Sequence, residues 1–495
     1  MSMIDVKNLS FAYEGSYDNI FENVSFRIDT DWKLGFTGRN GRGKTTFLKL
    51  LMGEYPFQGT ISANVDFEYF PFVVQDRNAD TMDVINGILG GVENWRLMRE
   101  LNLLEVTEDV LYRPFSTLSN GEQTKVLLAA LFLGENSFLL IDEPTNHLDI
   151  AARETVSRYL NSKRGFILVS HDRAFLDGCV DHIISINKTD IEIQKGNFSS
   201  WWHNKELQDS FELAENEKLK KEVRRLTETA REKAKWSDQA ERQKIGFDPK
   251  STEKNIGRRP LQGAKSKKMM SRAKAIEERQ VSAIEEKSKL LKNVEVSDEL
   301  KLITLKYHSD RLAELKNVSI SYGERPACQN VSFEIRQGDR IALRGKNGSG
   351  KSSLLKLLNG ESLEYIGELY RGSQLIISYV SQETGQMSGS LSDYALKHGL
   401  DESLFRAMLR KLDFSRTQFD KDIADFSGGQ KKKVLIAGSL SQRAHLYIWD
   451  EPLNFIDVIS RMQIEKLLLE YKPTLVFVEH DKAFCENVAT KTVEL

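Results

Sequence analysis

Gly38-Arg-Asn-Gly-Arg-Gly-Lys-Thr45 follows the short apolar stretch Lys33-Leu-Gly-Phe36 and leads into Thr46-Phe-Leu-Lys-Leu-Leu51. A strand, a glycine-rich loop and a helix in that order make a phosphate cradle. Gly38, Gly41 and Gly43 let backbone N–H groups approach phosphate oxygens, with Asn40 and Thr46 flanking them. Lys44 reaches the β- and γ-oxygens, and Thr45 supplies a hydroxyl for Mg²⁺. Further on, Phe138-Leu-Leu-Ile-Asp-Glu143 is an apolar strand ending in two carboxylates. Asp142 suits the metal side of such a site, and Glu143 is placed to take a proton from attacking water. Phe166-Ile-Leu-Val-Ser170 is another buried strand, followed by His171-Asp172. A lone histidine is usually structural, but this one recurs.

The whole pattern returns 307 to 309 residues later, which marks an internal duplication. Gly345-Lys-Asn-Gly-Ser-Gly-Lys-Ser352 is the second loop, with Gly345, Asn347, Gly348, Gly350, Lys351, Ser352 and Ser353 matching the first. Leu446-Tyr-Ile-Trp-Asp-Glu451 repeats the carboxylate strand through Asp450 and Glu451, and His480-Asp481 repeats the histidine. His147 aligns with Phe455, so a catalytic task for His147 is not expected, whereas His171 and His480 coincide.

Leu118-Ser-Asn-Gly-Glu-Gln123, Phe426-Ser-Gly-Gly-Gln430 and Asp142-Glu-Pro-Thr-Asn-His-Leu-Asp149 resemble the ATP-binding cassette superfamily, and most of all its soluble ABC-F branch. The resemblance implies an α/β fold: two P-loop cassettes with mixed sheets, helices and helical subdomains, joined by a long α-helical hairpin. It implies an ATPase with two composite sites that uses ATP and Mg²⁺. Tyr13 and Tyr322 would stack on adenine. Glu143, Glu451, His171 and His480 would be catalytic. Ser119 and Gly121 would face Lys351 and Glu451, and Ser427 and Gly429 would face Lys44 and Glu143. Thr45, Asp142, Ser352, Asp450 and Gln382 would hold the metal. Two departures stand out. Asn120 replaces the usual signature glycine. Tyr69-Phe-Pro-Phe72 has Phe72 where the second half has Gln382, with Gln75 as the alternative candidate.

The expected domains are 1–204 (first cassette), 205–300 (linker) and 301–495 (second cassette). Apolar positions Leu219, Val223, Leu226 and Ala230, then Ala273, Ile276, Ala283, Leu290 and Val294, step by three or four. That spacing predicts two helices, about Glu206–Ala240 and Ala264–Val294, pairing as a hairpin. Between them, about 241–263, lies a tip kept from helix by Gly246, Pro249, Gly257 and Pro260. From Arg242 to Lys274 eleven Lys or Arg stand against Asp248 and Glu253, so the patch favours a polyanion. Lys254, Arg258, Arg259, Lys265 and Lys267 are the candidate RNA contacts. Trp201-Trp202 reads as packing of the first linker helix against its cassette in preference to an RNA-stacking platform.

Net charge is −2, so any nucleic-acid affinity must be local. Cys179, Cys328 and Cys485 are scattered, which fits a reducing cytoplasm. The first residues lack a signal-peptide apolar region, and the longest apolar run, Val126–Leu133, falls far short of the roughly 20 residues that span a bilayer. The resemblance extends to Lsa-type antibiotic-resistance members through Tyr112-Arg-Pro-Phe115, Phe211-Glu-Leu-Ala-Glu-Asn-Glu217 and Ile448-Trp-Asp-Glu-Pro-Leu-Asn454. It implies a monomer acting on the 70S ribosome, with 23S rRNA, P-site tRNA and the exit-site region as partners, and protection against lincosamides, streptogramin A compounds and pleuromutilins. A housekeeping translation factor of the same branch shares these features. A transporter ATPase would leave the charged linker without a role, and a DNA-maintenance ATPase would carry a longer coil or zinc-binding cysteine pairs.

Overall fold

The computed structural model describes residues 2–13, 19–134, 137–146, 148–187, 190–244, 302–323, 325–385 and 387–495. The expected second linker helix and basic tip, with Lys254, Arg258, Arg259, Lys265 and Lys267, and also His147, lie outside them. The chain divides into one unit of Met1–Trp201 with Asp298–Leu495, and another of Trp202–Ser297.

The first half runs β1 (Met3–Phe11), β2 (Phe21–Asp29), β3 (Lys33–Thr37), β4 (Gln58–Ser62), β5 (Asp66–Phe70), β6 (Ser137–Asp142), β7 (Phe166–Val169), β8 (His182–Asn187) and β9 (Asp190–Lys195). These strands form an antiparallel sheet, β2-β1-β4, and a larger one, β5-β6-β7-β3-β8-β9, parallel except for β9. The second half repeats the plan with β10 (Arg311–Tyr322), β11 (Arg325–Arg336), β12 (Arg340–Arg344), β13 (Tyr365–Arg371), β14 (Ile377–Val380), β15 (Leu446–Asp450), β16 (Leu475–Val478) and β17 (Lys491–Glu494). Here the sheets are β11-β10-β13 and β14-β15-β16-β12-β17. Parallel strands covered on both faces need unbroken apolar runs. Phe166-Ile-Leu-Val and Leu475-Val-Phe-Val meet that demand, with every residue buried.

The strand order explains why distant motifs meet. β3 lies next to β7, and β7 next to β6, with Phe36 and Asp142 both paired to Val169. The P-loop after β3, the carboxylates ending β6 and His171 after β7 therefore leave the sheet at one edge, where α/β folds bind ligands. In the other half β12, β15 and β16 do the same for the second loop, Asp450 and His480. Gly43 and Gly350 begin the P-loop helices Lys44–Leu51 and Lys351–Asn359 with φ of 90° and 83°. A Cβ at Gly43 would stand 2.4 Å from Ile20, and one at Gly350 2.6 Å from the Ala327 carbonyl. Both the dihedral and the space demand glycine there.

A helical part containing Thr81–Leu89, Asn94–Leu103 and Asn120–Leu131 sits between β5 and β6, and Leu391–Lys397, Glu402–Lys411 and Gly428–Ser441 repeat it between β14 and β15. The first linker helix begins earlier than its apolar spacing predicts, running Phe198–Lys244. Its start is set by the cassette: Asn197 Oδ1 accepts from Ser200 N at 3.0 Å, an N-cap, while Asp177 accepts from Ser199 N at 2.8 Å. Trp201 is buried beside Phe198, ring centres 5.5 Å apart, so it anchors the helix.

Candidate active site

Two cavities lie across the halves, each built from the P-loop of one and the signature segment of the other. The larger, about 980 Å³, is lined by Lys346–Gly348 and Gly350–Ser353, with Tyr322, Gln382, Glu451 and His480 on one side and Ser119, Asn120, Gly121 and Asp149 on the other. The second, about 610 Å³, brings Asn40, Gly41, Glu143 and His171 against Ser427, Gly429, Gln430 and Phe455. The signature serines are helix caps: Ser119 accepts from Glu122 N and Ser427 from Gln430 N, each in a reciprocal capping box. These helices thus aim their N-terminal N–H groups into the opposite half's cavity, where an anion is favoured.

Within each loop the lysine is tethered by its own carbonyls. Lys44 Nζ donates to Gly38 O at 2.7 Å and Arg39 O at 3.1 Å; Lys351 Nζ donates to Gly345 O and Lys346 O, both at 2.8 Å. Tyr13 and Tyr322 hydroxyls reach Thr46 Oγ1 at 2.8 Å and Ser353 Oγ at 3.1 Å, placing both rings beside the P-loop helices. Thr45 Oγ1 donates to Asp142 Oδ2 at 2.8 Å, and in the second half burial raises the Asp450 carboxyl while the Ser352 hydroxyl tempers the rise. Asp450 Oδ1 is buried without a hydrogen-bond partner. An orphaned carboxylate oxygen beside a hydroxyl is the hard-oxygen donor set that suits Mg²⁺.

The two glutamates differ. Glu451 accepts from Gln382 Nε2 at 2.9 Å and Asn454 Nδ2 at 2.6 Å, and His480 Nε2 lies 3.4 Å from it. Burial alone would raise its carboxyl, but these donors and His480 hold it below the ordinary range. Glu143 has His171 Nε2 at 3.2 Å and, among the described residues, no amide donor. Burial, then the neighbouring Asp142, pushes its carboxyl up to about 8. Burial and the cations Lys44 and Arg461 push His171 well below its usual value, so the ring is neutral. Phe72 lines a separate space of about 500 Å³ with Asp142 and Glu143, and Gln75 is exposed and absent from that lining. Tyr69 donates to Asp142 at 3.0 Å instead.

Several residues that the motifs did not single out tie the halves together. Asn40 Nδ2 donates to the Phe455 carbonyl at 2.7 Å. Arg153 donates to Asp172 at 2.8 Å and to the carbonyl of His480 at 3.2 Å, joining the two histidine segments. Within the second half, Lys433, which lines the smaller cavity, pairs with fully buried Asp457 at 2.8 Å. Arg39 and Arg42 lie 3.5 and 3.8 Å from Asp413, and buried Arg173 pairs with buried Glu465. The partners of Asn40, Arg39, Arg42 and Arg173, and the His480 carbonyl that Arg153 reaches, sit in the other half, where no local motif could point to them.

A family model described as ABC transporter matches residues 21–146 and 328–454, just over half of the chain. The chain belongs to the ABC transporter family. It carries two of that family's cassettes and is an ATPase. It is similar to the ribosome protection protein VmlR of Bacillus subtilis, 29% identical over 490 residues covering 96% of this chain and 84% of VmlR. It is also similar to the ATP-binding protein Uup of Caulobacter vibrioides, 28% identical over 495 residues, 96% of this chain and 74% of Uup. These likenesses agree with the ABC-F resemblance read from the motifs. An archaeal ribosome recycling factor, aABCE1, crystallised with the ribosomal stalk protein aP1, shares the tandem fold at a TM-score of 0.62 and 18% identity, over 98% of this chain and 87% of its own. Among the described residues no helix is long and apolar enough to cross a membrane.

Proposed function

We propose that this ATPase binds the 70S ribosome and protects it from antibiotics of the peptidyl-transferase centre, namely lincosamides, streptogramin A compounds and pleuromutilins. The observation that carries the reading is the pairing of two cross-cassette sites with a helix, Phe198–Lys244, that grows directly out of the first cassette. The likeness to VmlR, a ribosome protection protein by name, supports the target. ATP in each cavity lies between one P-loop and the other signature, with Tyr13 or Tyr322 against adenine. Thr45 with Asp142, and Ser352 with Asp450 and Gln382, would hold Mg²⁺, which supplies charge neutralisation on the phosphates. Glu451, ionised and aimed by Gln382 and Asn454, takes the proton of the attacking water, and His480 orients the γ-phosphate side. Glu143 and His171 repeat these roles in the first site. Bound γ-phosphate holds the cassettes together and its loss releases them. The linker tip, through Lys254, Arg258, Arg259, Lys265 and Lys267, meets 23S rRNA and the P-site tRNA near the drug site, entering from the exit-site region.

The test is growth of a sensitive host in lincomycin or tiamulin with the full protein, with Glu143→Gln/Glu451→Gln, and with residues 247–261 replaced by a short neutral turn. Resistance from the full protein, lost in both variants at matched expression, is expected. No resistance from the full protein, with ribosome binding intact, would leave the housekeeping translation factor. Full resistance from the shortened protein would remove the tip from the mechanism.

A further inference from the structure

The helix Gly428–Ser441 faces both ATP sites at once. Its cap Ser427 and Gly429 line the first site, against Asn40 and Glu143. Less than two turns on, Lys432 is 1% exposed and serves the second site: its Nζ donates to the Ser381 carbonyl at 2.8 Å and to the Glu451 carbonyl at 3.2 Å. Ser381 precedes Gln382, the residue that aims the Glu451 carboxylate. Glu451 itself sits at φ 45°, in the left-handed region that a non-glycine residue enters at a cost and keeps only when its surroundings hold it. The Lys432 ammonium is such a hold, and the carboxylates of Glu479, Asp450 and Glu451 attract it there. Glu143 has the same backbone conformation, φ 50°, but the first cassette places Thr124 at the position of Lys432. The Thr124 hydroxyl only donates back to Asn120 O of its own helix, at 2.9 Å.

We propose that Lys432 is a positioning residue that couples closure of the first site to hydrolysis at the second, and that the coupling runs one way because Thr124 replaces it in the other cassette. The inference rests on reading both cavities as composite ATP sites. An α-helix moves as a rod with about 1.5 Å rise per residue, so Ser427 and Lys432 are only about 7.5 Å apart along it. Drawing Ser427 and Gly429 onto a nucleotide in the first site moves the ammonium that seats Glu451 and the Gln382 loop. Errors of about 1 Å in such seating are enough to cost large factors in rate.

The experiment uses the full-length protein carrying Glu143→Gln, so that turnover reports the second site. ATPase kinetics and binding of a fluorescent ATP analogue are measured for Lys432→Thr, Ser427→Ala and the double variant, with thermal unfolding to match folded fractions. Lys432→Thr is expected to lower kcat about tenfold and leave KM within about twofold, the signature of a lost positioning contact. Ser427→Ala should lower second-site turnover several-fold when Lys432 is present and change it no further when Lys432 is absent. Lys432→Arg, which keeps a charged donor, should recover part of the rate, and Lys432→Gln serves if threonine prevents folding. Additive effects of Ser427→Ala and Lys432→Thr, with nucleotide binding intact, would overturn the coupling alone. Absence of nucleotide binding in the Glu143→Gln protein would overturn the composite-site reading and the coupling with it.

Discussion

The two sites should answer pH differently, and the structure sets the size of the difference. In Glu451→Gln the remaining turnover belongs to the first site, whose base Glu143 is pushed up to about 8 by burial and by Asp142. A base with that value is ionised in about 1% of molecules at pH 6 and about half at pH 8, so turnover should rise about 50-fold between them. In Glu143→Gln the remaining turnover belongs to the second site. There Gln382, Asn454 and His480 overcome the burial of Glu451 and hold it below the ordinary carboxylate range. That base is ionised throughout, and its own contribution should change by less than about twofold over the same span. The assay is phosphate release at saturating ATP and Mg²⁺ for both variants in the same buffers. ATP titrates in this range too, so the ratio of the two profiles is the quantity to read. A ratio that stays flat from pH 6 to 8 would refute the claim that burial and Asp142 hold the Glu143 carboxyl protonated below about pH 8.

Three further outcomes follow from the same contacts. Phe72→Gln places an amide in the space shared with Asp142 and Glu143; in the Glu451→Gln background it should raise turnover several-fold at pH 7 and move the rise to lower pH, and an unchanged profile would count against it. Lys433→Met strands fully buried Asp457 without its partner and should cost about 3–5 kcal/mol in denaturant unfolding, with Asp457→Asn recovering part. Burial would raise Asp457 but Lys433 holds it low, so its contribution is present above about pH 4 and fades as pH falls toward the depressed folded value. Arg173→Met breaks a buried pair between the cassettes and should lower stability by about 3 kcal/mol, whereas Lys482→Met, whose partner Glu154 is half exposed, should cost less than about 1 kcal/mol; equal costs would show that burial does not set the difference.

The division between the two levels of information is visible in particular residues. The phosphate loops, the paired carboxylates and the recurring histidines stood out in the chain because each is a short local motif whose spacing is dictated by one strand and one turn. The duplication aligned them twice, separated His171 and His480 from His147, and exposed Phe72 as the odd member of its pair. The first linker helix was legible in its periodicity, but its start was not: Asn197 caps it through Ser200, Asp177 of the cassette accepts from Ser199, and Phe198 and Trp201 are buried at its first turn. Which loops meet at one sheet edge is a matter of strand order, β6-β7-β3 and β15-β16-β12, and strand order is not written in any segment alone. The contacts of Arg153 with His480, Asn40 with Phe455 and Arg173 with Glu465 join residues about 300 or more positions apart. Lys432 and Thr124 hold equivalent helix positions, but only the packing shows that the lysine reaches the Ser381 and Glu451 carbonyls while the threonine turns back on its own helix. Local chemistry repeats with the sequence, whereas ionisation and coupling depend on desolvation and on partners that only the folded chain brings within a few ångströms.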